Sequence, residues 1–102
     1  MMEVITVEQA LQMENQTGII ILDLRPPEYY EQFHIDNAIW YSVDKIENGE
    51  YLLPKEYCMM LYCEHGGLSL MAARLLEKEG FCVKVVIGGM YAYRQHQKRI
   101  MD

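Results

Sequence analysis

The hydrophobic positions of this chain fall into short unbroken runs separated by segments of helical period. Residues 57–62 read Tyr-Cys-Met-Met-Leu-Tyr, a continuous apolar run of the kind required of a strand buried on both faces. After Ser69 the pattern changes: Leu70, Ala73, Leu75 and Leu76 are apolar with charges between them. That spacing predicts an amphipathic helix ended by Gly80. Residues 19–24 form a second run, rich in β-branched side chains, and predict another buried strand. It ends at Asp23-Leu24-Arg25 and meets Pro26-Pro27, which stop the strand and preset a short helix over residues 27–32. Thr6-Val7-Glu8-Gln9 has the form of a capping box and predicts a first helix over residues 7–14. Shorter runs at 38–42 and 82–87 predict two further strands, and residues 90–98 a final helix. Residues 43–55 read as a connection, with Asn48-Gly49 as a turn and Pro54 as a stop.

Strands alternating with helices imply βαβ units. The expected fold is therefore α/β, a doubly wound, mostly parallel sheet with helices on both faces. In such sheets ligands bind outside the carboxyl ends of the strands. Three of those ends carry marked sequence: Asp23 and Arg25 before the prolines, Cys63 to Ser69, and Gly88, Gly89 and Met90. If the strands are neighbours, these segments form one pocket rim around Cys63. The middle segment, Cys63-Glu64-His65-Gly66-Gly67-Leu68-Ser69, sits between strand and helix. Its paired glycines let successive backbone N–H groups point into one concavity. The helix start adds unpaired N–H groups and the positive end of its dipole. A thiol in that cradle is expected to lose its proton more readily than a free cysteine.

Composition narrows the picture. A chain of 102 residues is one domain, expected to span 1–102. A net charge of −6 argues against a nucleic-acid partner, and the basic residues from Arg94 to Arg99 read as a solvated helix end. No signal peptide or membrane span is legible at the start. Three cysteines are an odd number in no disulfide-like arrangement, which points to a reducing, cytoplasmic setting. Cys58 and Cys82 are expected in the core as free thiols. Cys58 lies about 17 Å from Cys63 along an extended strand, beyond disulfide reach. Cys63 then has no resolving partner in its own chain, which favours transfer to another molecule. Cys63 and His65 do not make a metal site without a second ligand pair. No dinucleotide or phosphate fingerprint is present, so no cofactor is expected.

Taken together, the motifs resemble the rhodanese-like domain family. Asp23-x-Arg25, Glu28-Tyr29 and His34-Ile35-x-x-Ala38 are similar to its first conserved segment. Cys63-x-x-Gly66-x-Leu68-Ser69 with Ala72-Ala73-x-Leu75-x-x-x-Gly80-Phe81 is similar to its active-site loop and helix, and Gly88-Gly89 with Tyr93 to its closing segment. The resemblance implies a sulfurtransferase in which Cys63 takes sulfane sulfur, holds it as a persulfide and passes it on. A small sulfur donor or a persulfidated protein would supply the sulfur, and a thiol would accept it. Amides of Glu64 through Ser69 would cradle the persulfide charge without a metal.

The chain departs from the family at one telling place. Sulfur-handling members carry an arginine five residues after the cysteine, and the phosphatase relatives six after. Here those positions are Leu68 and Ser69. A phosphate monoester leans on a bidentate arginine, so phosphatase activity is not expected. A persulfide, singly charged on a soft atom, needs it less, whereas recruitment of thiosulfate should weaken. The alternative is a rhodanese-fold binding or regulatory module with decayed catalysis. Asp36-Asn37 replaces the usual proline-glycine turn. Glu64 is expected to face outward, because an inward carboxylate would oppose a thiolate. His65 is expected either to donate to a bound anion or to face solvent. Asp23 and Arg25 are expected either to contact substrate or, the preferred reading, to form a structural ion pair or loop hydrogen bonds at the pocket wall. His34 is expected to order the loop before Ala38.

Overall fold

The computed structural model describes residues 1–101. Five parallel strands run in the order β1-β5-β4-β2-β3: β1 Met2–Ile5, β2 Ile19–Asp23, β3 Ala38–Trp40, β4 Cys58–Tyr62 and β5 Val83–Val86. The helices are α1 Val7–Met13, α2 Pro27–Gln32, α3 Val43–Glu47, α4 Gly67–Lys78 and α5 Gly89–Met101. The doubly wound α/β architecture expected from the pattern is the one observed. Among the described residues no helix is long and apolar enough to cross a membrane.

Strand β4 lies at the centre, and period-2 alternation divides its side chains between two cores. Met59, Leu61 and Cys63 pack on one face with Leu22, Leu24, Val83 and Val85 of the sheet, under Ile46 of α3 and Ala72, Ala73 and Leu76 of α4. Met60 and Tyr62 pack on the other with Ile21 and Val86, under Val7 and Ala10 of α1 and Met90 of α5. Both faces are covered, so the run has no polar position. Each large apolar side chain buried there contributes about 1.5–3 kcal/mol.

The chain order places the site. From β2 the chain moves outward to β3, then returns across β2 to β4 and goes on to β5. Right-handed crossovers therefore send the connection after β2 to one face and the connection after β4 to the other. The carboxyl ends of β2 and β4, hydrogen-bonded neighbours with Asp23 level with Tyr62, open a crevice between them.

Three local readings change. β1 has no counterpart in the expected elements: it is a four-residue edge strand beside β5 in which Glu3 and exposed Val4 break the apolar pattern. Residues 43–47 are helical, short enough that only Ile46 is buried, which left no period to read. Cys58 and Cys82 are a disulfide rather than free core thiols, with Cα atoms 4.7 Å apart. The physical reason is register. Met59 pairs with Val83 across β4 and β5, so the residues one step earlier face each other at disulfide spacing. This removes the premise of three free thiols on which a reducing, cytoplasmic setting rested.

Candidate active site

Cys63 directly follows the central strand, is buried, and is the one free cysteine of the described residues. Its sulfur is ringed by the loop that follows. The backbone N–H of Gly66 donates to Sγ at 3.1 Å and that of Ser69 at 3.3 Å. The thiol donates to Ser69 Oγ at 3.4 Å, and that hydroxyl donates to the Gly66 carbonyl at 3.1 Å. To fold back in this way the loop turns at Gly66 through a left-handed conformation, φ +106°, which a glycine adopts at no steric cost. Gly67 then opens α4, and first-turn amides have no carbonyl behind them within the helix.

The loop is held from below by α5. The first-turn amides of that helix, Met90 N–H and Tyr91 N–H, donate to the carbonyls of Cys63 at 2.8 Å and Glu64 at 2.9 Å. The contact needs glycine at position 89, where a Cβ would fall on the Cys63 carbonyl oxygen. Gly88, Gly89 and Met90, expected on the pocket rim, thus lie under the loop. Gly89 and Met90 are buried, and the Met90 side chain belongs to the core beneath α1 and α5.

On the β2 side, Asp23 and Arg25 form an ion pair inside the wall. The fully buried Asp23 carboxylate accepts from Arg25 N–H at 2.9 Å, Nε at 3.1 Å and Nη2 at 2.8 Å, and from Tyr62 OH at 2.6 Å. Tyr62 OH in turn accepts the Ile35 N–H at 3.2 Å. Arg25 Nη2 donates to the Phe33 carbonyl at 2.6 Å, and Trp40 Nε1 to the Arg25 carbonyl at 2.7 Å. Burial pulls the Arg25 guanidinium downward, but the hydrogen bond and charge of Asp23 outweigh it and hold Arg25 above its ordinary value. Burial, with the bond to Asp23, pushes the Tyr62 phenol well up. Strand, loop and α2 are thereby tied together. His34 accompanies this loop, its Nδ1 2.8 Å from the Tyr30 carbonyl and its ring stacked on Tyr30. At the Asp36-Asn37 turn Asn37 takes φ +70°, a conformation asparagine tolerates better than most residues.

Above the sulfur is an open cleft of about 320 Å³, lined by Arg25, Pro26, Cys63, Glu64, His65, Gly67 and Leu68. Leu68 is partly exposed at its edge, and exposed His65 lies against Tyr91 with ring centroids 5.6 Å apart. Asp23 lies beneath the wall and does not line the cleft. Glu64 points sideways, its carboxylate bonded to Arg94 and 3.8 Å from Arg25 Nη1. Arg94, read from sequence as part of a solvated helix end, instead pairs with Glu64 at the border of the cleft and lines the cavity beside it. The signal was indirect: α5 starts under the Cys63 loop, so a side chain one turn in returns to its edge. Among the described residues no group of three His, Cys, Asp or Glu side chains is arranged to hold a metal.

The profile of the rhodanese-like domain matches residues 6–96. The chain belongs to the rhodanese-like domain family. A thiosulfate sulfurtransferase, GlpE, from Coxiella burnetii is 33% identical over 89 residues, which cover 86% of this chain and 83% of that protein. A tRNA sulfurtransferase of Desulfurococcus amylolyticus is 37% identical over 75 residues, covering 74% of this rhodanese-like domain but 15% of that protein. Among solved structures, a rhodanese homolog from Thermus thermophilus superposes with a TM-score of 0.72 at 32% identity, covering 88% of this chain and 99% of that one.

Proposed function

We propose that this rhodanese-like domain is a sulfurtransferase that carries sulfane sulfur as a persulfide on Cys63. The observation that carries the reading is the pair of backbone donors, Gly66 N–H and Ser69 N–H, converging on Sγ under an open cleft. In the loading step the Cys63 thiolate attacks the outer sulfur of the donor. The Sγ–S bond forms, the donor's own S–S bond breaks, and its electron pair leaves with sulfite or a thiolate. In the second step an acceptor thiolate attacks that outer sulfur, and the Sγ–S pair returns to Cys63. No net oxidant or cofactor is needed. The unpaired first-turn amides of α4, Gly67 and Leu68, are suited to receive the charge on the outer sulfur, as preorganised donors that need no reorganisation. The partners proposed are a small sulfur donor or a persulfidated protein, and a thiol acceptor.

Intact mass after exposure to thiosulfate or to a small alkyl persulfide tests this directly. One added sulfur, removable by cyanide and absent from Cys63→Ala, is the expected result. Ser69→Ala keeps the amide and loses the hydroxyl, which makes one hydrogen bond with the thiol and one with the Gly66 carbonyl. Only the first, roughly 0.5–1.5 kcal/mol, touches the sulfur, so loading should slow only about two- to tenfold. No added sulfur from either donor would favour the second reading, a binding module, which Leu68 at the arginine position supports.

A further inference from the structure

The Glu64 carboxylate and Arg94 take no part in the transfer just described, yet Glu64 stands on the border between two cavities and pairs there with Arg94. One is the cleft over Cys63. The other, of about 340 Å³, is lined by Arg25, Tyr29, Gln32, Phe33, Glu64 and Arg94. Arg25 and Glu64 line both. The Glu64 carboxylate spans two guanidinium groups, one oxygen bonded to Arg94 Nη2 and the other 3.8 Å from Arg25 Nη1. Arg25 is buried and already committed to Asp23 and Phe33. Arg94 is half exposed. The four charges, two arginines against Asp23 and Glu64, sum to zero, so the wall beside Cys63 offers an incoming anion no net attraction. With Glu64 turned aside, the same wall carries one net positive charge on forked donors that match a two-oxygen anion.

We propose that Glu64 is a specificity-determining residue: its carboxylate occupies the anion position formed by Arg94 with Arg25. It thereby turns the site away from oxyanion donors and toward persulfides that carry no acidic group beside the sulfane sulfur. The inference rests on the sulfur-carrier reading and adds the class of donor. The position five residues after the cysteine is Leu68, so no guanidinium comes from the loop. Arg25 lines the cleft itself, and Arg94 of α5 reaches it only through Glu64, from the adjoining cavity. An anionic donor must displace Glu64 to use Arg94.

The test compares kcat/KM for thiosulfate with that for a small alkyl persulfide lacking a carboxylate. In Glu64→Gln the thiosulfate-to-persulfide ratio should rise about tenfold, the scale of one charge-assisted hydrogen bond. Adding Arg94→Ala to Glu64→Gln should remove the gain, because the displaced anion then has no partner; a purely structural Glu64 would not couple to Arg94 in this way. An unchanged ratio in Glu64→Gln, or a gain that survives loss of Arg94, overturns the proposal. Protection of Cys63 by thiosulfate against alkylation by iodoacetamide separates this from failure of the carrier reading. If no variant loads sulfur, stronger protection in Glu64→Gln than in the unmodified protein still supports the gate, and equal protection overturns it.

Discussion

Tyr62 is the residue on which core and pocket wall meet. Its ring fills the core beneath α1 and α5, while its hydroxyl bridges Asp23 and the Ile35 N–H. Tyr62→Phe keeps the ring and strands the buried Ile35 amide, a loss of about 1–3 kcal/mol. The same hydroxyl sets a pH dependence. Burial and the bond to Asp23 raise the phenol above its ordinary value of 10.0, so a proton is kept in the folded state that the unfolded chain releases. The associated stability is fully present below pH 10 and falls as pH rises beyond it toward the folded-state value. Urea denaturation at about pH 7 and about pH 10.5, on either side of the unfolded phenol's titration, checks both points. The unmodified protein should lose stability between the two more steeply than Tyr62→Phe, and parallel losses would assign the alkaline limb to other groups. Tyr62 was legible as a core residue because it ends an apolar run. Its hydroxyl was not, because its partners Asp23 and Ile35 come from β2 and the loop after α2, contacts that exist only once the sheet order is set.

At the level of elements, the joint between α5 and the Cys63 loop is the contact that shapes the cradle. Gly89→Ala places a methyl on the Cys63 carbonyl oxygen, so α5 must retreat and give up the Met90 and Tyr91 bonds. Two hydrogen bonds and a strained positive φ together make a loss of about 3 kcal/mol or more. Gly49→Ala is the matched control: it also has a positive φ, +70°, but nothing within 4 Å of a Cβ, and should cost only the backbone term of about 1–2 kcal/mol. Thermal midpoints of the two variants read the difference, and sulfur loading should fail selectively in Gly89→Ala. Equal shifts would mean that α5 does not brace the loop. Elements with one strong period were the legible ones. The two-sided apolar runs marked β2 and β4, the amphipathic period marked α4, and the capping box marked α1, whose Thr6 and Gln9 bonds are present. β1 and α3 were missed because an edge strand and a one-turn helix bury too little to leave a pattern. Three strand-end segments were expected to form one rim around Cys63. Of them, Arg25 and the Cys63 loop line the cleft, while Asp23 lies beneath its wall and Gly88 to Met90 under the loop. Which of them floors the loop and which faces the cleft depended on how α5 docks, and no local spacing encodes that.

For the molecule as a whole, chemistry and cross-linking sit at opposite ends of the sheet. Cys63 follows the last residue of β4, whereas Cys58 opens the same strand and is bonded to Cys82 before β5. The bond closes a segment with a sequence separation of 24 that contains β4, the active loop and α4, so it restricts the unfolded chain across the whole crossover. Loop-closure entropy for that length corresponds to roughly 3.5 kcal/mol. The double variant Cys58→Ala/Cys82→Ala should therefore unfold at lower urea with a stability loss of about 3 kcal/mol, and its thermal midpoint should drop by about 10 °C or more. Counting iodoacetamide adducts in denaturant reads the bond independently: one adduct without reductant, from Cys63, and three after reduction. Five residues of extended strand, about 17 Å, separate the bond from the reactive thiol, too far for exchange between them. The double variant should accordingly load sulfur on Cys63 at the normal rate well below its melting range. A loading defect there that tracks the stability loss with temperature would mean that the crossover must be tied at its base to hold the cradle in shape; a defect at all temperatures would mean that the two ends of β4 are coupled through the strand itself.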